Sequence, residues 1–119
     1  VVGPGVAGTT GVPVLVGSGT LVGGEPLSLA LSNAKPGGSA ALIIGLSALN
    51  APFMGGTLVP TPNTVVAGLP IDGTGALVIG TTMPVGIPSG AQFWVQYWIV
   101  DPAGPAGVSA SNGLRGTTP

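Results

Sequence analysis

The chain contains no cysteine and no histidine. Without cysteine it can form neither disulfides nor thiolate metal sites. Without histidine it lacks the usual general base and the commonest transition-metal ligand. Charge is almost as scarce. Glu25, Lys35, Asp72, Asp101 and Arg115 are the formal side-chain charges, 4% of 119 residues with a net charge of −1. An average globular domain carries about 25%. Two basic residues give phosphate no electrostatic footprint, which excludes nucleic acid as a partner.

Uninterrupted apolar runs are missing too. Ser39 to Pro60 holds no charge and is long enough for a bilayer, yet Asn50, Pro52, Gly55 and Gly56 break it. No Lys or Arg cluster flanks it, so no membrane span is expected. The strands are too few and short for a membrane barrel. No basic segment followed by an apolar one opens the chain, and Val1 therefore reads as a mature or processed start.

What is present is glycine, 23 residues, and proline, 13 residues. Together they exceed about a quarter of the chain, a share that ordinarily marks low complexity. Here they punctuate short apolar runs, which is the pattern of turns between strands. No window of a dozen residues pairs helical periodicity with good helix formers and no breaker. Helix is nearly excluded. The length suits one domain that buries roughly two-thirds of its unfolded surface.

Residues 1–13 (VVGPGVAGTTGVP) are glycine-rich and apolar without alternation and read as an extended N-terminal arm. Residues 14–119 read as the folded domain. Val14 to Val22 offers a first strand pair broken at Gly17, and Leu27 to Ser32 alternates Leu27, Leu29 and Leu31 with Ser28, Ala30 and Ser32. Ser39 to Ser47 fits a central strand covered on both faces. Asn50 to Gly56 reads as a loop presenting Phe53 and Met54. Short strands follow at Thr57 to Val59, Val65 to Leu69 and Ala76 to Thr82, with Asp72-Gly73-Thr74-Gly75 as a tight turn.

Gln92 to Asp101 is the strongest strand, with Phe93, Val95, Tyr97 and Ile99 on one face and Trp94, Gln96, Trp98 and Val100 on the other. Pro102 to Asn112 reads as a long turn and Gly113 to Thr117 as a last strand. The expected fold is all-β: an antiparallel β-sandwich, Ig-like or jelly-roll-like, of about seven to nine short strands.

The segments Gly24 to Leu27, Gly45 to Pro60, Gly68 to Gly75 and Gln96 to Asn112 carry a resemblance. They are similar to a little-characterised module near the C-termini of large secreted proteins of environmental bacteria. The likeness covers most of the chain from about Val14 onward, and YWIVDP to SASN is its most specific part. It implies secretion and an accessory role, and brings no catalytic residues. One departure is that the module here stands behind a short arm, with no large enzyme or repeat region before it.

Asp72 and Asp101 are the candidate acid–base carboxylates, but both sit beside Gly or Pro at strand ends, where Asp caps turns. One Asp and a Thr hydroxyl are too poor a set for calcium, which takes six to eight oxygens. Serine nucleophiles lack a base at useful spacing. Lys35 with Glu25, and Arg115 with Asp101, are the conceivable ion pairs. No enzyme activity and no cofactor are expected.

The remaining candidates are apolar. Trp94 and Trp98 share a strand face about 13 Å apart, and with Phe53 they suit either packing against a neighbouring element or subunit, or stacking on sugar rings. Val1, Val2 and Val6 of the arm suit strand addition to a neighbouring subunit's sheet edge. A head-to-tail contact of that kind, repeated, builds an open filament. The alternative for the arm is a flexible linker.

Two functions follow. The first is a non-catalytic structural subunit of an extracellular filament or cell-surface layer, self-assembling into a homopolymer through arm exchange and apolar faces. The second is a carbohydrate-binding or adhesion module of a secreted protein. No Asn-x-Ser/Thr sequon occurs, so glycans on its Ser and Thr would be O-linked or non-standard.

Overall fold

The computed structural model describes residues 2–119, and within them every regular element is a strand. Ten occur, written here in chain order as β1 (Val14–Gly19), β2 (Pro26–Ser32), β3 (Ser39–Gly45), β4 (Ala48–Phe53), β5 (Gly56–Pro60), β6 (Thr64–Pro70), β7 (Leu77–Thr82), β8 (Gln92–Val100), β9 (Val108–Ala110) and β10 (Leu114–Thr117). All pairings are antiparallel. The expected all-β architecture is the one observed. Among the described residues no helix is long and apolar enough to cross a membrane.

One sheet has the order β1-β2-β7. A second runs β10-β8-β3-β6, with β9 also paired to β8. The alternation in β2 and β8 explains how they meet. Leu29 and Leu31 of β2 and Val95, Tyr97 and Ile99 of β8 fall into one buried cluster with Leu15, Ala40, Leu42 and Ile71. In each strand these residues form one of the two faces that the alternation separates. Burying side chains of this size contributes roughly 1.5–3 kcal/mol each.

The other face of the five-stranded sheet is also covered. Ile43 of β3 and Trp98 of β8 join Val6, Leu58 and Ala110 in a second cluster. Its roof is the β4–β5 hairpin together with the arm. β3 is therefore apolar on both sides because both sides are buried, as expected for its nearly continuous apolar run.

The hairpin forms a two-stranded sheet of its own and lacks a main-chain ladder to β8. A single side chain supplies the link. Gln96, fully buried on β8, accepts from the Val59 N–H at 3.0 Å and from the Trp98 indole Nε1 at 3.0 Å. Its Nε2 donates to the Thr57 carbonyl at 3.1 Å and to the Ser111 carbonyl at 3.0 Å. An amide offers two donors and two lone pairs, so this one is fully used.

Three elements differ from the sequence reading. Asn50 to Gly56, expected as a loop, is hairpin: β4 runs through Phe53 and pairs it with Gly56. The turn residues Met54 and Gly55 both have positive φ, 45° and 81°, which gives a two-residue turn of type I′. A glycine is at home there; Met54 is not. β9 lies within the expected long turn, because three residues suffice to extend the sheet beyond Trp98. Val14 to Gly19 is one strand, unbroken at Gly17.

Replacing Gln96 by leucine should destabilise the chain by about 3–5 kcal/mol, since three buried groups and the part-buried Thr57 carbonyl lose their partners at about 1–3 kcal/mol each with some relaxation. Chemical denaturation measures the loss. Tryptophan emission should shift to the red as the hairpin lifts from Trp98.

Candidate assembly interface

The described residues of the arm, expected as one extended segment, run along their own domain to Gly8 and then turn at Thr9 and Thr10, where Gly8 and Gly11 exchange bonds at 2.9 and 3.2 Å. Gly3 bridges Gly113 and Val6 bridges Ala110, both antiparallel. The Val2 N–H donates to the Gly113 carbonyl at 2.9 Å, and the Val6 N–H to the Ala110 carbonyl at 2.9 Å, with Ala110 returning the bond at 3.1 Å. The arm thus covers the outer edge of β9 and the start of β10. The radius of gyration, 13.8 Å, matches about 13.5 Å for a domain of this length with nothing projecting from it.

Val6 is the arm's anchor. It is 7% exposed and packs with Ile43, Leu58, Trp98 and Ala110. Glycine makes the room: a Cβ on Gly56 would occupy the space of a Val6 methyl, and a Cβ on Gly8 would collide with the Asp101 carboxylate. Of the other arm candidates, Val2 is half-buried at the Gly113 bond. Val1 lies outside the described residues.

Asp101 fastens the arm's far end. It is 1% exposed. Its Oδ2 accepts from the Thr9 N–H at 2.7 Å, and its Oδ1 from the Thr9 hydroxyl at 2.7 Å and the Ala103 N–H at 3.0 Å. Burial pushes its pKa up, but the bonds from Thr9 and Ala103 and the charge of Lys35 outweigh that, and the result lies below the ordinary 3.8. The partner suggested by the sequence was Arg115, which instead sits exposed on β10 opposite Trp94. Thr10 adds a bond from its hydroxyl to the Asn33 carbonyl at 2.7 Å.

Asp72 closes its own turn. Its Oδ1 accepts from the Thr74 N–H, the Thr74 hydroxyl and the Ala76 N–H at 2.7–3.0 Å, and these bonds lower its pKa, the hydroxyl most. Both aspartates therefore serve turns. Among the described residues no three Asp, Glu, His or Cys stand together as a metal site.

The tryptophans part company. Trp98 is 6% exposed, and Phe53 meets it edge-on with ring centroids 5.1 Å apart and planes at 85°. Such contacts add about 0.5–1.5 kcal/mol beyond area. Trp94 is half-buried. The two rings share a strand face but form no common open platform for a sugar. Phe53 itself is 41% exposed and, with Met54, Leu49 and Leu46, gives the hairpin an apolar outer surface.

The sequence reading passed over Asn112 and Thr9 and saw Gln96 only as the residue between two tryptophans. Asn112 acts as a surrogate strand: its Oδ1 accepts from the Leu15 N–H at 2.8 Å and its Nδ2 donates to the Leu15 carbonyl at 3.0 Å. Only Gln96 had a visible signal, a lone amide inside an otherwise apolar strand.

Neither protein-family models, curated proteins nor solved structures gave a match to this chain.

A carboxyl with a depressed folded-state pKa stabilises fully above its unfolded value and loses that contribution as pH falls through the folded one. Arm docking should accordingly weaken as pH drops below 3.8. Amide exchange at Thr9 and Ala103 reports this separately from the Asp72 turn. Asp101→Asn should cost about 1.5–3 kcal/mol at neutral pH, because its NH₂ faces a donor, and should flatten the acid response.

Proposed function

We propose that the chain is a non-catalytic structural subunit of an extracellular filament or surface layer, assembling by exchange of residues 1–13 between copies. One observation carries this reading. The arm's contacts are a self-contained set, Val6 in its notch, main-chain bonds to Ala110 and Gly113, and Thr9 on Asp101, and a neighbour's arm would satisfy them equally. Such an exchange adds no new contact type, which is why swapping is a low-cost route to assembly.

Other features support it. Five charges in 119 residues leave little repulsion between closely packed copies. The exposed Leu46, Leu49, Phe53 and Met54 provide apolar surface for lateral contact. Exposed Ser and Thr are available for O-linked glycans, and the likeness to a secreted bacterial module favours a place outside the cell. Both aspartates spend their acceptors on turns and on the arm, which favours a role without catalysis.

Val6 and Ala110 form a doubly hydrogen-bonded pair, whose Cα atoms lie about 5.5 Å apart in antiparallel sheets, within disulfide range. With no native cysteine, Val6→Cys with Ala110→Cys is a clean reporter. Oxidised before assembly, it should form no filament or covalent multimer, and it should assemble on reduction. Oxidised after assembly, it should give a ladder of covalent multimers on a denaturing gel. Intrachain disulfide alone under every condition would sink arm exchange.

A further inference from the structure

The sandwich protects its sheet edges unequally. At β1, the Asn112 carboxamide takes both main-chain groups of Leu15. At β9, the arm pairs with Ala110. β10 carries the charge of Arg115. At β6, the register shifts opposite Ala41, Gly68 adopts a φ of 73°, and Pro70 ends the strand. Bulges, prolines, charges and covering segments are the devices that keep edges from pairing.

β7 has none of them. It ends the order β1-β2-β7 and reads LVIGTT, with no charge, no proline and an unshifted register of six pairs to β2. Which of its groups are free follows from the ladder. Leu15 gives both main-chain groups to Asn112, so it faces away from β2, and its partner Leu31 faces β7. In antiparallel pairing the bonding direction alternates. Leu77, Ile79 and Thr81 therefore bond to β2, and Val78, Gly80 and Thr82 turn their N–H and C=O outward. The bond from the Met83 N–H to the Glu25 carbonyl at 2.8 Å continues the same parity.

We infer that β7 pairs antiparallel with β7 of a second copy about a two-fold axis, joining two three-stranded sheets into one of six. The occupant follows from charge. A strand paired with itself about a two-fold sets the residue on the axis opposite its own copy and every other residue opposite another of the same strand. Like charges on a charged edge therefore lie close together, and a neutral edge has none to oppose. On the outer face beside this edge stand Val78, 65% exposed, and Gly80, where a Cβ would meet nothing within 4 Å. Nothing there obstructs a second strand. The contact deepens the proposed assembly by adding a two-fold interface to the head-to-tail one, yet it does not use the arm.

The test uses the full chain with its arm locked by the oxidised Val6→Cys, Ala110→Cys disulfide, which removes exchange and leaves β7 intact. Sedimentation should show a reversible dimer, and the amides of Val78 and Gly80 should gain protection from exchange as concentration rises. Gly80→Lys, at an open position that leaves folding intact, should raise the dimer dissociation constant at least about tenfold. Val78→Lys should do the same, with part of its effect relieved by high salt. A monomer up to about 1 mM, or a dimer unaffected by both lysines, overturns the β7 contact and leaves arm exchange standing. Failure of the covalent ladder with a normal β7 dimer does the reverse.

Discussion

The carboxamide of Gln96 is the interaction on which the rest of the molecule hangs. The β4–β5 hairpin has no strand ladder to the five-stranded sheet, and its Val59 N–H is buried and its Thr57 carbonyl partly so. Unpaired, such groups would cost about 1–3 kcal/mol each. Gln96 answers both, orients the Trp98 indole, and reaches the Ser111 carbonyl where β9 gives way to β10. With the hairpin seated, Trp98 has a roof in Phe53, and the notch that receives Val6 exists. One amide thereby couples hairpin, central strand and arm.

A chain with so few charges must settle its polar groups by other means. Gln96, Asn112, Thr9 and Ser111 do in this protein what ion pairs and main-chain ladders do elsewhere; the Ser111 hydroxyl, for instance, accepts from the Tyr97 N–H at 2.9 Å. Amides and hydroxyls carry a smaller desolvation cost than ions, so they can be buried without a counter-charge. Asp101 is the one buried carboxylate in this scheme, and it is spent on the arm. That places one of the two acid-sensitive aspartates, the other being Asp72 in its turn, at the segment proposed to exchange.

The parts of the fold that rest on period-two alternation were legible in the amino-acid sequence. Phe93, Val95, Tyr97 and Ile99 face the main core, and Leu29 and Leu31 face them from β2. The hairpin was hidden because Asn50 and Pro52 look like breakers and Met54 gives no hint of the left-handed backbone it adopts. The different fates of Trp94 and Trp98 were also hidden, since alternation assigns a face but not how far the covering element extends. Docking of the arm depends on Thr9 meeting Asp101 across 92 positions, a relation that local pattern does not encode. Edge protection, read through Asn112 and the arm, is likewise a property of the assembled sheets.

The pairing of the arm with β9 and β10 has a kinetic consequence. The arm's main-chain bonds to its own domain are made with Ala110 and Gly113, far along the chain, so this closing step pays a large loop entropy. Until that closure the edge of β9 stays open and the Val6 notch empty. In the proposed assembly a nearby copy would compete with the chain's own terminus during this interval, once its local concentration approached the effective concentration of that tethered terminus. In that assembly, crowding during folding would decide whether a molecule closes upon itself or links to another, since the final bonds are the same in kind.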